Sequence, residues 1–328
     1  ALDPDIICFQ EIFDHTSAET ASLLDEWIPL PDNALWQHAQ QGPDNIVVSK
    51  HPILESQNIG SNGAFKIEVG FSRVIVINAH LPCCENDEGR QFEVDQILDY
   101  IKDARGGQAT VSIENNSPII ICGDMNMVGE AQQRNSLING DIINEDIFGE
   151  DITPDWNGQN LRDAIPNTTG TPFSFTWANL NSSFSKGRLD YIIYTGSNLQ
   201  KQNAFNLYTP TLGSEELIIN GLNINDVPFA SDHIPVVADF RIGDFTSIAN
   251  EEEANVLIFP NPTYGLLQFK SEIPVKRMSL YNSIGSRIFQ THFIRNQIDI
   301  SALSVGHYIM ELELNNGQRI FENVFKLD

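Results

Sequence analysis

Short apolar and polar stretches alternate along residues 1–242, and this pattern predicts strands separated by helices. Runs of consecutive apolar residues predict strands at Ile6–Phe9, Ile46–Val48, Val74–Asn78, Ile119–Cys122, Asp190–Tyr194 and Pro235–Phe240. Apolar residues recur instead at helical spacing in Ser17–Ile28 and Glu88–Arg105. Several strands are too apolar to have one face in water, so we expect an α/β fold in which helices cover a layered sheet.

The pattern changes at residues 243–255, a polar stretch that contains Glu251, Glu252 and Glu253 and predicts a linker. Beyond it, residues 256–328 show short alternating runs separated by turn residues and no helical periodicity. The sequence therefore predicts a large α/β domain over residues 1–242 and a small β-sandwich over residues 256–328.

Composition places the charge in the large domain. The 328 residues carry a net charge of −25, and 41% of them are hydrophobic, which is enough for a core. Residues 256–328 contain 7 basic and 6 acidic side chains, so the remaining 12 basic and 38 acidic side chains give residues 1–255 a net charge of −26. This charge argues against a broad basic surface for nucleic acid, although a bound divalent cation reverses the local sign. The apolar runs are far shorter than the roughly 20 residues of a membrane-spanning helix.

Four cysteines are too few for a disulfide framework. Cys8 and Cys122 lie in apolar strands, where buried free thiols are expected. Cys83 and Cys84 are adjacent in a polar loop, and a vicinal disulfide, a redox-active pair and two unpaired thiols all remain open. The first residues show no secretion signal and enter a strand at once, so we expect the natural chain to begin earlier.

Five short motifs place acids, amides and histidines at the ends of predicted strands. Their candidate functional residues are Glu11, His80, Asp124, Asn126, Asp190, Asp232 and His233. Each motif alone is typical of an ordinary turn or surface. Together they contain what metal-assisted phosphoester hydrolysis requires: carboxylates for a hard divalent cation and for an attacking water, and histidines that stabilise developing charge. Asp190 would hold His233 in one tautomer.

The order of these motifs resembles the endonuclease/exonuclease/phosphatase superfamily, which includes DNase I, exonuclease III-type repair nucleases, inositol-polyphosphate 5-phosphatases and neutral sphingomyelinases. The motifs are Gln10-Glu11, Asn78-Ala79-His80-Leu81, Gly123-Asp124-Met125-Asn126, Arg188-Leu189-Asp190-Tyr191 and Ser231-Asp232-His233-Ile234-Pro235-Val236. The resemblance spans nearly all of residues 1–242. It implies a four-layer α/β sandwich with two mainly antiparallel sheets packed face to face.

The resemblance also implies a role for each candidate residue. Glu11 would be the principal metal ligand, with Asp124 and Asp232 as further ligands, and the metal would be Mg²⁺, with Mn²⁺ or Ca²⁺ as alternatives. His80 would assist at the leaving group or a phosphate oxygen, while Asp124 and Asn126 orient the attacking water and contact the phosphate. Asp190 would hold His233 against the phosphoryl group. The family has a further strand, ending in a metal-coordinating Asn, before the Gln-Glu motif, and the sequence departs from the family by beginning after it.

A second resemblance covers residues 256–328. It rests on the segments Val256-Leu257-Ile258-Phe259-Pro260-Asn261-Pro262-Thr263, Leu280-Tyr281-Asn282-Ser283-Ile284-Gly285, Ile298-Asp299-Ile300-Ser301-Ala302-Leu303 and Gly306-His307-Tyr308-Ile309, and on Lys326. These segments resemble the type A C-terminal sorting domain of the type IX secretion system of Bacteroidetes. The resemblance implies that the secretion machinery is a partner and that the protein is secreted or attached to the outer cell surface.

The sequence thus predicts a secreted, Mg²⁺-dependent phosphodiesterase in which water attacks phosphorus in line. An extracellular nuclease acting on DNA or RNA is the first hypothesis. A sphingomyelinase-like phospholipid phosphodiesterase or another phosphatase is the alternative, although no apolar insertion suited to a membrane is visible. A catalytically silent surface-binding protein is the alternative of another class, and the intact motif residues argue against it. We expect a monomer.

Overall fold

Strands and helices alternate along the larger part of the chain in the computed structural model. Their bounds are β1 (Ile6–Phe9), α1 (Ser17–Trp27), β2 (Gln37–Gln41), β3 (Asn45–Ser49), β4 (Ile53–Ile59), β5 (Asn62–Val69), β6 (Ser72–His80), α2 (Asp87–Arg105), β7 (Ile119–Asp124), α3 (Gln132–Asn139), α4 (Glu145–Phe148), β8 (Arg162–Asp163), β9 (Asn167–Thr168), β10 (Asp190–Tyr194), β11 (Leu199–Asn206), α5 (Ser214–Ile219), α6 (Asp226–Ala230) and β12 (Val236–Ile242). The six predicted strands and two predicted helices are confirmed, with ends within two residues of the expected positions.

The structure describes residues 2–128, 131–171, 173–179, 182, 184–243, 256–271, 273–282, 287–291, 297–315 and 319–327. The chain divides into two units, Ala1–Thr168 with Ser174–Ser247 and Thr169–Phe173 with Ile248–Asp328. Of the linker predicted at residues 243–255, only Gly243 is among the described residues.

A six-stranded sheet of order β4-β5-β6-β7-β10-β8 forms the centre of the first unit. Successive side chains of a strand point to opposite faces, and both faces of this sheet are covered. On one face, Ile75 and Ile77 of β6 and Ile121 of β7 pack in one core with Leu98 and Ile101 of α2. The intervening side chains are on the opposite face, and this explains why the central strands are apolar throughout.

That opposite face packs against two three-stranded sheets, of order β1-β3-β2 and β12-β11-β9. Val47 of β3 packs against Val74 and Val76 of the six-stranded sheet, while its neighbours Ile46 and Val48 pack under α1. The order of layers is therefore helices, the six-stranded sheet, the two three-stranded sheets and a further helix, and the expected four-layer α/β sandwich is confirmed. The second sheet layer differs in detail, because in the described part of the chain it consists of two separate three-stranded sheets.

Polar side chains cap the starts of the two longest described helices, α1 and α2. Thr16 and Glu19 form a capping box at the start of α1, in which the Thr16 hydroxyl accepts the Glu19 N–H and the Glu19 carboxylate accepts the Thr16 N–H. Asn86 accepts the Gly89 N–H at the start of α2. Among the described helices, none combines the length and the apolar character needed to cross a membrane.

The second unit is built from strands. They are β13 (Leu257–Phe259), β14 (Leu266–Lys270), β15 (Val275–Asn282), β16 (Arg287–Thr291), β17 (Gln297–Asp299), β18 (Gly306–Leu314) and β19 (Arg319–Lys326). They form a three-stranded sheet of order β13-β14-β17 and a four-stranded sheet of order β16-β15-β18-β19. Leu267 and Phe269 of the first sheet share a core with Leu280, Met310 and Leu312 of the second, as expected for a small β-sandwich. Residues 283–286, which include the end of one sorting-domain segment, lie outside the described residues.

Candidate active site

Three candidate residues form one row across the centre of the six-stranded sheet. His80 pairs in register with Asp124 in the parallel β6–β7 ladder, and Asp190 pairs with the same Asp124 in the antiparallel β7–β10 ladder. Gly123 lets β6 and β7 approach here, because a Cβ at this position would lie 2.0 Å from the Ala79 carbonyl oxygen and the residue has a φ of +131°. Backbone hydrogen bonding therefore fixes the order of the three side chains.

Asp124 lies in the middle of the row, 5% exposed. Its Oδ1 accepts the Asn126 backbone N–H at 3.0 Å, and its Oδ2 accepts the Asn126 side-chain amide at 2.8 Å. The same amide group donates to the Leu81 carbonyl oxygen at 2.9 Å. These bonds hold Asn126 at a φ of +47°, a conformation that Asn tolerates better than most residues. Asp124 and Asn126 thus form a rigid pair directly after β7.

Two histidine–aspartate pairs flank Asp124. On one side, Nδ1 of His233 lies 3.0 Å from Oδ2 of Asp190, and on the other, Nδ1 of His80 lies 2.6 Å from Oδ2 of Asp44. A carboxylate accepts hydrogen bonds, so each Nδ1 carries a hydrogen. The two Nε2 atoms each lie 3.8 Å from Oδ2 of Asp124. Both imidazoles are therefore oriented toward one carboxylate oxygen.

The crowding of charge changes two pKa values. Burial and the neighbouring Asp190 carboxylate raise the pKa of Asp124 to about 6, against the opposing effect of His233. Burial alone would lower the pKa of His233, but the hydrogen bond that His233 donates to Asp190 and the charges of Asp190, Asp124 and Asp232 outweigh it and raise the pKa to about 9. At neutral pH His233 is therefore protonated, and both of its ring nitrogens are donors.

We expect the pH dependence of His233 to report on its pair with Asp190. Because the folded-state pKa of about 9 exceeds the ordinary value of 6.5, the stabilisation from this pair is fully present below pH 6.5 and is lost as the pH rises through 9. In the metal-free protein, Asp190→Asn should lower the His233 pKa by about one pH unit or more. NMR titration of the imidazole signals measures this, with His233→Ala identifying the signal. An unchanged titration in Asp190→Asn would contradict the pairing.

Glu11 lies at the edge of this group. It follows β1 with a φ of +61°, and its backbone N–H donates to Oδ2 of Asp44 at 3.1 Å. Its carboxylate is 64% exposed, and its Oε1 lies 3.8 Å from Nε2 of His80. The preceding strand end is fastened to β6, because Asn78 accepts a hydrogen bond from Gln10 and donates to the Phe9 carbonyl oxygen. Glu11 and Asp124 therefore approach His80 together.

Asp232 is held differently. Its Oδ2 accepts hydrogen bonds from Nε1 of Trp177 at 3.1 Å and from the Asn179 side-chain amide at 3.2 Å. Within the described residues, no hydrogen bond joins its carboxylate to Glu11 or Asp124. The structure thus brings six of the seven candidate residues into one connected group and places Asp232 beside it, next to His233 in the chain.

Two residues of the site were missed from the sequence. Asp44, 2% exposed, lies in the turn between β2 and β3 and bonds both His80 and Glu11. Thr176 is fully buried, and its hydroxyl accepts the backbone N–H groups of Leu189 and Asp190 at 2.9 Å each. Its carbonyl oxygen accepts the Ile234 N–H at 2.7 Å. Thr176 thus joins the segments that carry Asp190 and His233.

In the loop after His80 and Leu81, Cys83 and Cys84 are joined by a disulfide, so of the alternatives left open by the sequence the structure contains the vicinal disulfide. Arg90 is fully buried and donates to the carbonyl oxygens of Pro82 and Cys84 at 2.9 Å each. A buried guanidinium thereby fixes the loop to α2.

The donor set suits a hard divalent cation. Asp124, Asp190 and His233 have side-chain atoms within 4.8 Å of one another, and of these three the two carboxylates can bind a cation while His233 is protonated. Glu11 adds an exposed carboxylate next to His80. Most of these donors are carboxylate oxygens, which Mg²⁺, Mn²⁺ and Ca²⁺ prefer over softer ligands. The pKa of Asp124 is raised mainly by burial and then by the charge of Asp190, and a bound cation would stabilise the ionised form of this carboxylate.

Comparison with known proteins places this arrangement in a family. The Endonuclease/Exonuclease/phosphatase family matches residues 1–233. The chain belongs to this family. Members of the endonuclease/exonuclease/phosphatase family are hydrolases that typically depend on a divalent metal. Residues 257–325 match the Secretion system C-terminal sorting domain, which indicates secretion or attachment to the outer surface. Both resemblances inferred from the motifs are thereby confirmed.

Several solved structures are similar to parts of this chain at low sequence identity. An endonuclease/exonuclease/phosphatase family protein from Bacteroides thetaiotaomicron is 17% identical, covering 73% of this chain and 84% of its own, with a TM-score of 0.46. TDP2 of D. rerio, complexed with a single-strand DNA product, is 16% identical, covering 73% and 86%, with a TM-score of 0.45. Beta toxin of Staphylococcus aureus is 19% identical, covering 62% and 76%, with a TM-score of 0.40. No curated protein sequence matches the chain.

Proposed function

We propose that this family member is a secreted, divalent-metal-dependent phosphodiesterase. The observation that carries the proposal is the placement of two histidine–aspartate pairs, whose Nε2 atoms each lie 3.8 Å from one oxygen of Asp124. Such an arrangement supplies hydrogen-bond donors on two sides of a buried carboxylate, as attack at phosphorus and departure of an alkoxide require.

His233 acts on the phosphoryl group in this proposal. Its protonated ring donates Nδ1–H to Asp190 and has Nε2–H free to donate to a phosphoryl oxygen. Because the raised pKa of about 9 keeps the ring charged at neutral pH, the donor needs no proton from solvent before each turnover. Its electrostatic effect increases as negative charge accumulates on that oxygen.

Asp124 and Asn126 act on the attacking water. A carboxylate whose pKa is about 6 is ionised at pH 7 and is a stronger base than an ordinary aspartate. Asn126 is fixed by its bonds to Asp124 and Leu81 and contacts the phosphate. A metal held by Glu11 and Asp124 would stabilise the charge that develops on the phosphoryl oxygens.

His80 acts at the leaving group. Its Nδ1 is bonded to Asp44, so the ring presents Nε2 to the substrate side of the row. A hydrogen delivered or shared there stabilises the departing oxygen. Asp44 is a positioning residue in this proposal, since it orients the His80 ring and, through the Glu11 backbone, the proposed metal ligand.

For the substrate we first propose DNA or RNA, because an exported phosphodiesterase of this family meets external nucleic acid. The protein would then be an extracellular nuclease. The experiment is a hydrolysis screen of the full chain with Mg²⁺, Mn²⁺ and Ca²⁺ against DNA, RNA, phosphatidylcholine and sphingomyelin vesicles, and phosphomonoesters. His233→Ala, tested in parallel, separates activity at this site from contamination. No metal-dependent hydrolysis of any of these compounds by the full chain would refute the enzymatic proposal and favour a silent binding protein.

A phospholipid phosphodiesterase is a second candidate, favoured by one observation that the sequence analysis missed. Ile218 and Ile219 of α5 are 79% and 74% exposed, and Phe229 of α6 is 85% exposed. The segment that carries them contains acids but no Lys or Arg, and it leads directly to Asp232 and His233. The sequence analysis did not identify these exposed apolar side chains. Hydrolysis of vesicle lipids but not DNA in the screen would select this candidate.

We expect Glu11→Gln to weaken metal binding while the fold is retained. The substitution keeps the size of an exposed side chain and removes one negative charge, so half-maximal activity should require about 10- to 100-fold more Mg²⁺. Calorimetric titration with Mn²⁺ should show the same weakening without reference to turnover. Glu26→Gln, on the exposed side of α1, is the matched control. Equal Mn²⁺ affinity in the two variants would exclude Glu11 as a ligand.

A further inference from the structure

Two cysteines face each other inside the sandwich, away from the polar row. Cys8 belongs to β1 and Cys122 to β7, in two different sheets, and their Sγ atoms are 3.4 Å apart. Both thiols are free and partly buried, and both side chains lie in the core between the sheets with Val47 and Val76. The contact joins strands that are 114 residues apart in sequence.

The compartment in which the protein resides determines whether two thiols in contact stay reduced or form a disulfide. The sorting domain at residues 257–325 indicates secretion or attachment to the outer surface. Disulfides form and persist in oxidising surroundings of this kind. Cys83 and Cys84 of the same unit are already joined. A pair of thiols in van der Waals contact therefore meets oxidising conditions once the chain has left the cell.

We propose that Cys8 and Cys122 form a disulfide between the two sheets in the exported protein. A low-molecular-weight disulfide outside the cell is the oxidant. The thiolate of one cysteine attacks it and releases one small thiol, and the second cysteine then displaces the other small thiol. Two S–H bonds are lost, one S–S bond forms between the cysteines, and the external disulfide is reduced to two thiols. The sulfurs must approach from 3.4 Å to a bond length of about 2.05 Å.

The two strands are already close enough for the bond to form with a small movement. In the described part of the chain β1 is hydrogen-bonded to β3, and its Cys8 side chain contacts Cys122 of β7 across the core. The hydrogen bond to Cys122 and burial raise the pKa of Cys8, so little thiolate is present on Cys8 and oxidation is slow. Slow formation is typical of a permanent cross-link rather than a rapid switch.

The cross-link has a direct geometric consequence for the site. Cys8 lies three residues before Glu11, and Cys122 lies two residues before Asp124. The disulfide therefore fixes the end of β1 that carries Glu11 to the end of β7 that carries Asp124. It would add to the backbone hydrogen bond from Glu11 to Asp44 and to the hydrogen bonds that join Phe9 and Gln10 to Asn78 of β6.

Counting thiols tests the proposal independently of any enzymatic activity. The Cys83→Ser/Cys84→Ser variant of the full chain leaves only the pair of interest. After incubation with oxidised glutathione and denaturation, we expect no thiol that reacts with a maleimide, against two after reduction. In the triple variant, which adds Cys8→Ser, only Cys122 remains. It should be free or glutathionylated after oxidation and should react with the maleimide after reduction. Two free or two glutathionylated thiols in the oxidised double variant would overturn the proposal.

Wild-type protein provides a second measurement that does not depend on the folding of a variant. Peptide mapping without reduction should recover the peptides of Cys8 and Cys122 as one species that separates on reduction. Pairing of either cysteine with Cys83 or Cys84 instead would overturn the proposal. Closure of so long a loop should also raise the melting temperature of the oxidised protein on the order of 5–15 °C over the reduced one. The triple variant should lack this redox-dependent shift.

Discussion

Asp124→Asn is expected to reduce kcat by about 10³-fold or more. The carboxylate lies 3.8 Å from Nε2 of both His80 and His233, and its two oxygens accept two hydrogen bonds from Asn126. The substitution removes the negative charge and the base. Because an amide has one acceptor oxygen, it also removes one of the two hydrogen bonds that orient Asn126. Steady-state kinetics at saturating Mg²⁺ on the substrate found in the screen measures the loss.

The matched control is Asp146→Asn, the same change at an exposed position of α4. It should leave kcat and the melting temperature unchanged. The melting temperature of Asp124→Asn should also stay close to that of the wild type or rise, because the substitution removes a buried charge whose pKa is raised to about 6. Activity within tenfold of the wild type in a folded Asp124→Asn protein would show that Asp124 has no part in the chemistry.

His233→Ala is expected to lower kcat by about 10²- to 10⁴-fold. The alanine removes a protonated donor beside Asp124 and removes the imidazole that pairs with the Asp190 carboxylate. KM should change less than kcat, because the proposed contact with the phosphoryl oxygen strengthens as charge develops in the transition state. Kinetics on a phosphodiester with a chromogenic leaving group separates the two parameters.

His38→Ala is the control for this change, since His38 is exposed and its ring contacts Ser17 of α1. A structural role alone would instead lower the melting temperature of His233→Ala and leave the activity of the folded fraction intact. That result would remove His233 from the mechanism without affecting the family assignment.

Residues at strand ends could be predicted from sequence because the strands that carry them are apolar and short. β7 and β10 are almost continuous hydrophobic runs with an acid at one end, so Asp124 and Asp190 could be identified as candidates. The ladders then bring these ends together without any contribution from loops. The family, the α/β sandwich and the C-terminal sandwich could be predicted from the same pattern, short apolar strands with polar residues at their ends, which is repeated along the chain.

Asp44 could not be found in this way. It precedes β3 in a turn after β2, a strand of sequence Gln-His-Ala-Gln-Gln whose polar residues give no periodic signal. Its contact with His80 joins residues 36 apart in sequence across two sheets, and nothing local to either residue indicates it. Thr176 was missed for the same reason, since its hydrogen bonds serve backbone groups 13 and 14 residues away. Such contacts follow from tertiary packing.

The two histidine–aspartate pairs make the row nearly mirror-symmetric about Asp124. Hydrolysis is directional, because water enters on one side of phosphorus and the leaving group departs on the other. The sheet edge alone, with an imidazole at the same distance on either side, does not distinguish these sides. In the proposed mechanism the distinction comes from the two exposed acids outside the row, Glu11 next to His80 and Asp232 next to His233. The side of phosphorus on which water enters would then depend on a strand end and a loop, and not on the row itself.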